Sequence, residues 1–289
     1  MGNLSSASGV AVNNGNYFIV GDDTPWLYEL DSDLNIIKKI QIAKTAYMQG
    51  GRVPKKLKSD FESMEIITDG KSKKLIIISS GSTITTRDTA FIVDLSNSEK
   101  IVSANLRPLY NKIKLKANLP TANEINIEGV TFSDKSTYLL HRGNVSENII
   151  IELDREAFIE YIKHPNRIPD FNIYSFDLPK YKGVSSGFSG ACINHDSSGL
   201  LFTASMEDTK DEVNDGKVLG SFVGFIPFGG LEKGEFVSSL LMSGSTPLEK
   251  KLEGISISSV TQNNNIQVIT VCDNDNGTSD IITFKIILK

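Results

Sequence analysis

Two cysteines, three histidines and one tryptophan are all that 289 residues hold of those types. Cys192 and Cys272 lie far apart in apolar runs, so the chain has neither a disulfide framework nor a paired-thiolate metal motif. They read as buried thiols, with a lean toward a reducing compartment. The histidines are His141, His164 and His195. His164 falls in a surface helix and His195 in a turn, which argues against a Ser–His–Asp hydrolase. Gly187-Phe188-Ser189-Gly190-Ala191 is not a nucleophile elbow, because it ends in Ala191 and precedes a strand. Neither a P-loop nor a dinucleotide-binding glycine fingerprint is present. No apolar stretch approaches the ~20 residues that span a bilayer. Met1 to Gly9 is small and polar rather than a secretory signal, which leaves a cytoplasmic protein or a processed periplasmic or secreted one. With a net charge of −5 and no basic stripe, nucleic acid is not an expected partner. The run Arg52-Val53-Pro54-Lys55-Lys56-Leu57-Lys58 is short and broken by proline; it reads as a solvated loop.

What the chain does have is a weak internal repeat. Five segments open with Glu or Ser, then a small residue, then an apolar alternation: Ser8-Gly9-Val10, Glu62-Ser63-Met64, Glu128-Gly129-Val130, Ser189-Gly190-Ala191 and Glu253-Gly254-Ile255. Each is followed by a turn rich in Asn, Asp, Gly, Ser or Lys, such as Asn13-Asn14-Gly15-Asn16 or Thr68-Asp69-Gly70-Lys71, and then by a second apolar strand. Third strands follow, and fourth strands are legible at Ile36 to Ile42, Ile101 to Leu106, Asn172 to Leu178 and Glu235 to Leu241. Antiparallel four-strand units at even spacing are the blades of a propeller. The reading is all-β, one closed β-propeller over 1–289, with five blades and six as the alternative. Leu106 to Leu115 and Arg155 to His164 read as helical insertions, and the last blade ends at its third strand.

That fold makes a positional prediction. First strands line the central channel, and second strands return to the end where the first ones open. Glu62, Glu128 and Glu253 therefore converge with Asp23, Arg142, Asn144, Glu207 and Asp273, and Arg87 and His141 lie close by. Bringing carboxylates together costs several kcal/mol unless a cation or hydrogen bonds compensate. In one reading Glu62, Glu128, Glu253, Asn144, Asp23 and Glu207 hold Ca²⁺ or another hard divalent cation. Glu128 or Asp273 then serves as general base, and Arg87, Arg142 and His141 hold a small anionic ligand. In the other, the glutamates cap the channel by pairing with backbone amides and the two arginines, and the glycines allow close approach of the blades. Asp273-Asn274-Asp275-Asn276-Gly277 lacks the spacing of an EF-hand and reads as a turn.

The Glu-Gly openings at Glu128 and Glu253, the segment Leu4-Ser5-Ser6-Ala7-Ser8-Gly9-Val10, Asp60-Phe61-Glu62 and Asp273-Asn274-Asp275 resemble a loose group of bacterial propellers related to the esterase-like phytase and SdiA-regulated families. The chain is most like members with no established activity. The resemblance implies a propeller and metal-dependent hydrolysis of a phosphate or carboxylic ester. The dense basic set of a phytate binder is missing, since the cluster offers mainly Arg87 and Arg142. Gluconolactonase-like propellers are a more distant comparison; they place carboxylates and an Asn around a divalent ion, positions that here would be Glu62, Glu128, Glu253, Asn144 and Asp273. The functional expectation is a metal-dependent hydrolase of a small anionic ester or lactone at the channel mouth. The alternative is a non-catalytic ligand- or protein-binding propeller, and oligomeric state is not legible.

Overall fold

The computed structural model describes residues 4–44, 47–98, 100–120, 125–143, 146–208, 216–261, 265–274 and 277–288. Blade 1 contains β1 (Ala7–Asn13), β2 (Asn16–Gly21), β3 (Trp26–Leu30) and β4 (Ile36–Gln41). Blade 2 contains β5 (Phe61–Asp69), β6 (Ser72–Ser79), β7 (Thr89–Asp94) and β8 (Ile101–Asn105). Blade 3 contains β9 (Ile127–Phe132), β10 (Ser136–His141), β11 (Asn148–Asp154) and β12 (Phe171–Phe176). A ribbon of β13 (Lys180–Tyr181) and β14 (Val184–Ser185) leads into blade 4, which contains β15 (Gly187–Ile193), β16 (Gly199–Asp208), β17 (Lys217–Pro227) and β18 (Val237–Leu240). A second ribbon, β19 (Met242–Ser243) and β20 (Thr246–Pro247), precedes the three-stranded blade 5 of β21 (Ile255–Val260), β22 (Ile266–Asp273) and β23 (Ser279–Ile286). Every pairing within a blade is antiparallel. The described residues contain five blades and no sixth.

The inner strands pack in a ring, β1 on β5, β5 on β9, β9 on β15, β15 on β21 and β21 on β1. Blades are apolar on both faces, so each seam between neighbours holds its own core. Blades 1 and 2 bury Phe18, Leu27, Phe61 and Leu75 between them; blades 3 and 4 bury Leu140, Ile150, Phe188 and Phe202. Ile19, Leu30, Ile269 and Val271 fill the seam between blades 5 and 1. That closing seam is also hydrogen-bonded, Gly254 N to Ser8 O at 2.7 Å and Ala7 N to Ser279 Oγ at 2.9 Å. Two α-helices, α1 (Arg107–Lys116) and α2 (Arg155–Lys163), thicken the seam between blades 2 and 3 with Leu109, Tyr110, Phe158 and Ile162. The Asp154 side chain caps α2 by accepting from Ala157 N at 2.8 Å.

The small residue after each opener has a steric reason. A Cβ on Gly254 would stand 2.8 Å from both Ser8 O and Val10 N, and one on Gly190 would stand 2.3 Å from Glu253 O. A Cβ on Gly129 would stand 3.1 Å from the Cβ of Ala191. Inner strands of adjacent blades thus touch backbone to backbone. Ser63 occupies the same place in blade 2, and its Oγ accepts from Val130 N at 2.6 Å in the next blade.

Candidate functional site

The opener is a bulged residue in four blades: the pairing register slips across Ser8, Glu62, Glu128 and Ser189. A bulge leaves one residue unopposed and re-aims its side chain. The two serines donate to the next blade, Ser8 Oγ to Phe61 O and Ser189 Oγ to Leu252 O. The glutamates, longer and acceptor-only when ionised, go to the channel mouth. One carboxylate oxygen each from Glu62, Glu128 and Glu253 lies within 4.8 Å of the other two. These three residues come from blades 2, 3 and 5.

Cations surround them. Lys251 Nζ lies 3.0 Å from Glu253 Oε1 and 3.3 Å from Glu207 Oε1. Arg142 is buried; its Nη2 lies 3.0 Å from Glu207 Oε2, and its Nη1 donates to Ser205 Oγ at 2.6 Å. Asn126 Nδ2 donates to Glu128 Oε1 at 2.6 Å. Among the described residues, Glu62 has no hydrogen-bond or salt-bridge partner. Burial, reinforced by Glu128 and Asp60, pushes the Glu62 carboxyl well above the usual range. Burial also raises Glu128 against the pull of Arg142 and Lys251. Glu253 is pushed to about 8 by burial, with Lys251 opposing and Glu128 adding to it. Burial alone would raise Glu207 too, but Lys251 and Arg142 hold it below the ordinary range.

A second acidic group shares Glu62: oxygens of Asp22, Asp60 and Glu62 also lie within 4.8 Å of one another. Lys58 sits there, hydrogen-bonded to Asp22 and 2.7 Å from Asp60 Oδ1. Asp60 Oδ2 accepts from Arg87 Nη1 and Ser82 Oγ, both at 3.0 Å, and from Ser80 Oγ. Burial would raise Asp60, yet Lys58 and Arg87 keep it below the usual carboxylate range. A cavity of about 340 Å³ opens over the mouth, walled by Glu62, Lys251, Glu253, Asp273 and the loop bearing Arg52 and Lys58.

The expected residues divide accordingly. Glu62, Glu128, Glu253, Glu207 and Arg142 form one cluster. Asp23 lines the same cavity but is tied to Arg52, and to Ser5 and Ser6 at 3.2 and 3.1 Å, rather than to the cluster. Asp273 is on the cavity wall. Arg87 is committed to Asp60 and to Lys55 O. His141 is buried, its Nδ1 accepting from Asn126 N at 2.9 Å and its Nε2 paired with Ser146 Oγ at 3.2 Å. Neither Arg87 nor His141 lines the cavity. Asn144 lies outside the described residues. The run from Arg52 to Lys58, read as a solvated loop, instead folds over the mouth: Val53 is buried and donates to Asp23 O at 2.7 Å, and Lys58 reaches the acidic group below. Asn126 and Lys251 escaped the sequence reading, and Asp60 entered it only within the segment Asp60-Phe61-Glu62, without a place in the cluster. All three stand two residues before an opener, and that offset is the signal that would have found them.

The chain matches over residues 3–286 the model of a family of unknown function, DUF6929, and belongs to that family. No curated protein matches it. Among solved structures it is similar to an endo-arabinase from Bacteroides thetaiotaomicron, with 12% identity, 99% of this chain on 95% of that one and a TM-score of 0.55. An exo-1,5-alpha-L-arabinanase from a bovine ruminal metagenomic library has 10% identity, 99% and 94% coverage and a TM-score of 0.54. A Kuenenia stuttgartiensis hydrazine synthase chain has 13% identity and a TM-score of 0.46; 92% of this chain spans 64% of that one. The first two likenesses support the propeller fold, and only the fold.

Proposed function

We propose that in this member of the DUF6929 family the channel mouth binds a divalent cation and uses it to hydrolyse a small anionic ester or lactone. The observation that carries the reading is the glutamate triangle, three carboxylate oxygens from three blades within 4.8 Å of one another. The charges support it. Counted as ionised, Asp22, Asp60, Glu62, Glu128, Glu207 and Glu253 are six carboxylates beside the four cations Lys58, Arg87, Arg142 and Lys251, an excess of two negative charges. A divalent ion balances that excess, and an all-oxygen donor set fits Ca²⁺, Mg²⁺ or Mn²⁺. When bound, such an ion supplies a Lewis acid for the ester carbonyl or phosphoryl oxygen.

The chain's own residues do the remainder. Asn126 holds one oxygen of Glu128 in the triangle, so Asp273, on the cavity wall, is the carboxylate left to act as general base. Lys251 and Arg52 present positive charge to the cavity and orient the anionic part of the substrate. Arg142 acts through Glu207, Arg87 through Asp60, and His141 by fixing the Asn126 backbone.

One observation favours a second reading, a non-catalytic binding propeller. Lys251 joins Glu207 to Glu253, and Arg142 joins blade 3 to Ser205 and Glu207 of blade 4, so the pairs also brace the ring. Thermal melting with EDTA, Ca²⁺, Mg²⁺ and Mn²⁺ separates the outcomes. At about 100 times Kd a native-state ligand adds about 2.7 kcal/mol, which raises Tm by about 5–10 °C in a protein of this size. Glu128→Gln and Glu253→Gln should abolish the rise. No response to any metal refutes the hydrolase mechanism, and an unchanged response in both variants places the ion elsewhere. Turnover of lactone and phosphate-ester panels then distinguishes an enzyme from a binder.

A further inference from the structure

The two acidic groups that share Glu62 are not equivalent. In the triangle of Glu62, Glu128 and Glu253 one member, Glu253, is salt-bridged to a lysine, whereas a single ammonium bridges two members, Asp22 and Asp60, of the group they form with Glu62. Lys58 Nζ hydrogen-bonds Asp22 Oδ2 and lies 2.7 Å from Asp60 Oδ1, and its side chain is only 12% exposed. The loop that carries it is fixed by backbone bonds on both sides. Val53 N donates to Asp23 O at 2.7 Å, Lys58 N to Pro54 O at 3.0 Å and Asp60 N to Asp22 O at 3.0 Å. Arg87 Nη2 clamps the middle through Lys55 O at 2.9 Å. The ammonium does not use every acceptor around it: Asp22 Oδ1 is buried and has no hydrogen-bond partner. A buried carboxylate oxygen left unpartnered is costly, and it marks an acceptor set built for more charge than one ammonium delivers.

We propose that Lys58 is a tethered cation that fills the Asp22–Asp60–Glu62 group in place of a metal ion, and so limits the mouth to one divalent cation, in the glutamate triangle. The part concerning the triangle rests on the function proposed above; the part concerning Lys58 does not. An ammonium is a compact, strongly hydrated point charge on a flexible stem. It holds one positive charge in the group without exchanging with solvent and repels any second cation that approaches Glu62 from that side. Removing the charge and keeping the stem should therefore open a second divalent site that shares Glu62 with the first.

The experiment counts bound Mn²⁺ per chain by calorimetry and by electron paramagnetic resonance on EDTA-treated protein. Wild type should bind one ion, Lys58→Met two, and Lys58→Met with Asp22→Asn one again. Equal numbers in wild type and folded Lys58→Met, whether none or one, overturn the assignment of Lys58. None in wild type and one in Lys58→Met sustains that assignment and sinks the glutamate-triangle reading. The wild-type chain offers an independent measurement should Lys58→Met not fold. Lys58 should stay protected from amine acetylation with and without Mn²⁺, and acetylation that rises on adding Mn²⁺ shows that metal displaces the ammonium and overturns the proposal.

Discussion

Asp60 is the most heavily loaded carboxylate of the mouth, and Asp60→Asn tests how the blades are held there. The residue is 3% exposed. It takes Lys58 on Oδ1, and Arg87, Ser80 and Ser82 on Oδ2. Asparagine keeps the volume, so no cavity forms and the loss is electrostatic. Lys58 retains Asp22, but Arg87 has no second carboxylate and is left nearly buried, with Ser82 Oγ and Lys55 O. Removing one partner of a buried pair costs about 3–5 kcal/mol, because the remaining charge is desolvated without compensation. In a protein of this size that is a fall in Tm of about 8–15 °C. Urea unfolding followed by circular dichroism and by the fluorescence of Trp26, the sole tryptophan, measures it. Arg87→Met in the Asp60→Asn background removes the stranded guanidinium and should restore at least about 1 kcal/mol, a coupling visible in the double-mutant cycle. The pH dependence has a fixed sign. The folded carboxyl lies below its ordinary value, so its contribution is complete above about pH 4 and is lost as pH falls through the folded pKa. The gap between wild type and variant should therefore be constant from pH 5 to 7 and close in stronger acid. A loss below about 1 kcal/mol, or a gap that widens below pH 4, refutes the ion-pair account.

His141 yields a second acid-sensitive step of opposite origin. Burial pushes its imidazole down to about 4; the unfolded chain protonates near pH 6.5, so stability falls between those values, by about 1.4 kcal/mol per pH unit or about 3 kcal/mol in all. Imidazole ¹⁵N shifts should show neutral His141 with the proton on Nε2 at pH 5.5, and a doubly protonated ring at pH 6 contradicts the assignment. Gly254→Ala tests the closing seam: its Cβ would stand 2.8 Å from Ser8 O and Val10 N, so blades 5 and 1 must part, at a cost of about 1–3 kcal/mol. A urea midpoint within about 0.5 kcal/mol of wild type shows that the seam yields freely.

The fold was legible because propeller blades repeat their chemistry. An opener, a small residue, an apolar alternation and a polar turn recur where each inner strand begins, and the small residue is dictated by the backbone of the next blade, as Gly190 and Gly254 show. Convergence of Glu62, Glu128 and Glu253 follows from that repetition. The bulges at Ser8, Glu62, Glu128 and Ser189 were not legible, because a bulge is a mismatch between two strands and leaves no mark in either alone. The role of Arg52 to Lys58 was hidden for a related reason. A basic run looks solvated when only its own residues are considered, and its partners Asp22, Asp23 and Asp60 become neighbours only once blades 1 and 2 have formed.

The same division explains the charge of the mouth. Three repeated positions build it: the opener, the residue two before it, and the end of the second strand. Together they supply Asp22, Asp60, Glu62, Glu128, Glu207, Glu253 and Asp273 but only two cations, Arg142 and Lys251, so acid outweighs base there. The irregular segments return two, Lys58 from the loop over the mouth and Arg87 from the loop before β7. Both go to Asp60, which they hold below its usual range, and neither forms a salt bridge with the glutamate triangle, whose members are all pushed upward. The residual charge is therefore localised rather than spread: it stays where three blades aim an acceptor at one point, and only protons or a cation from solution can neutralise it there.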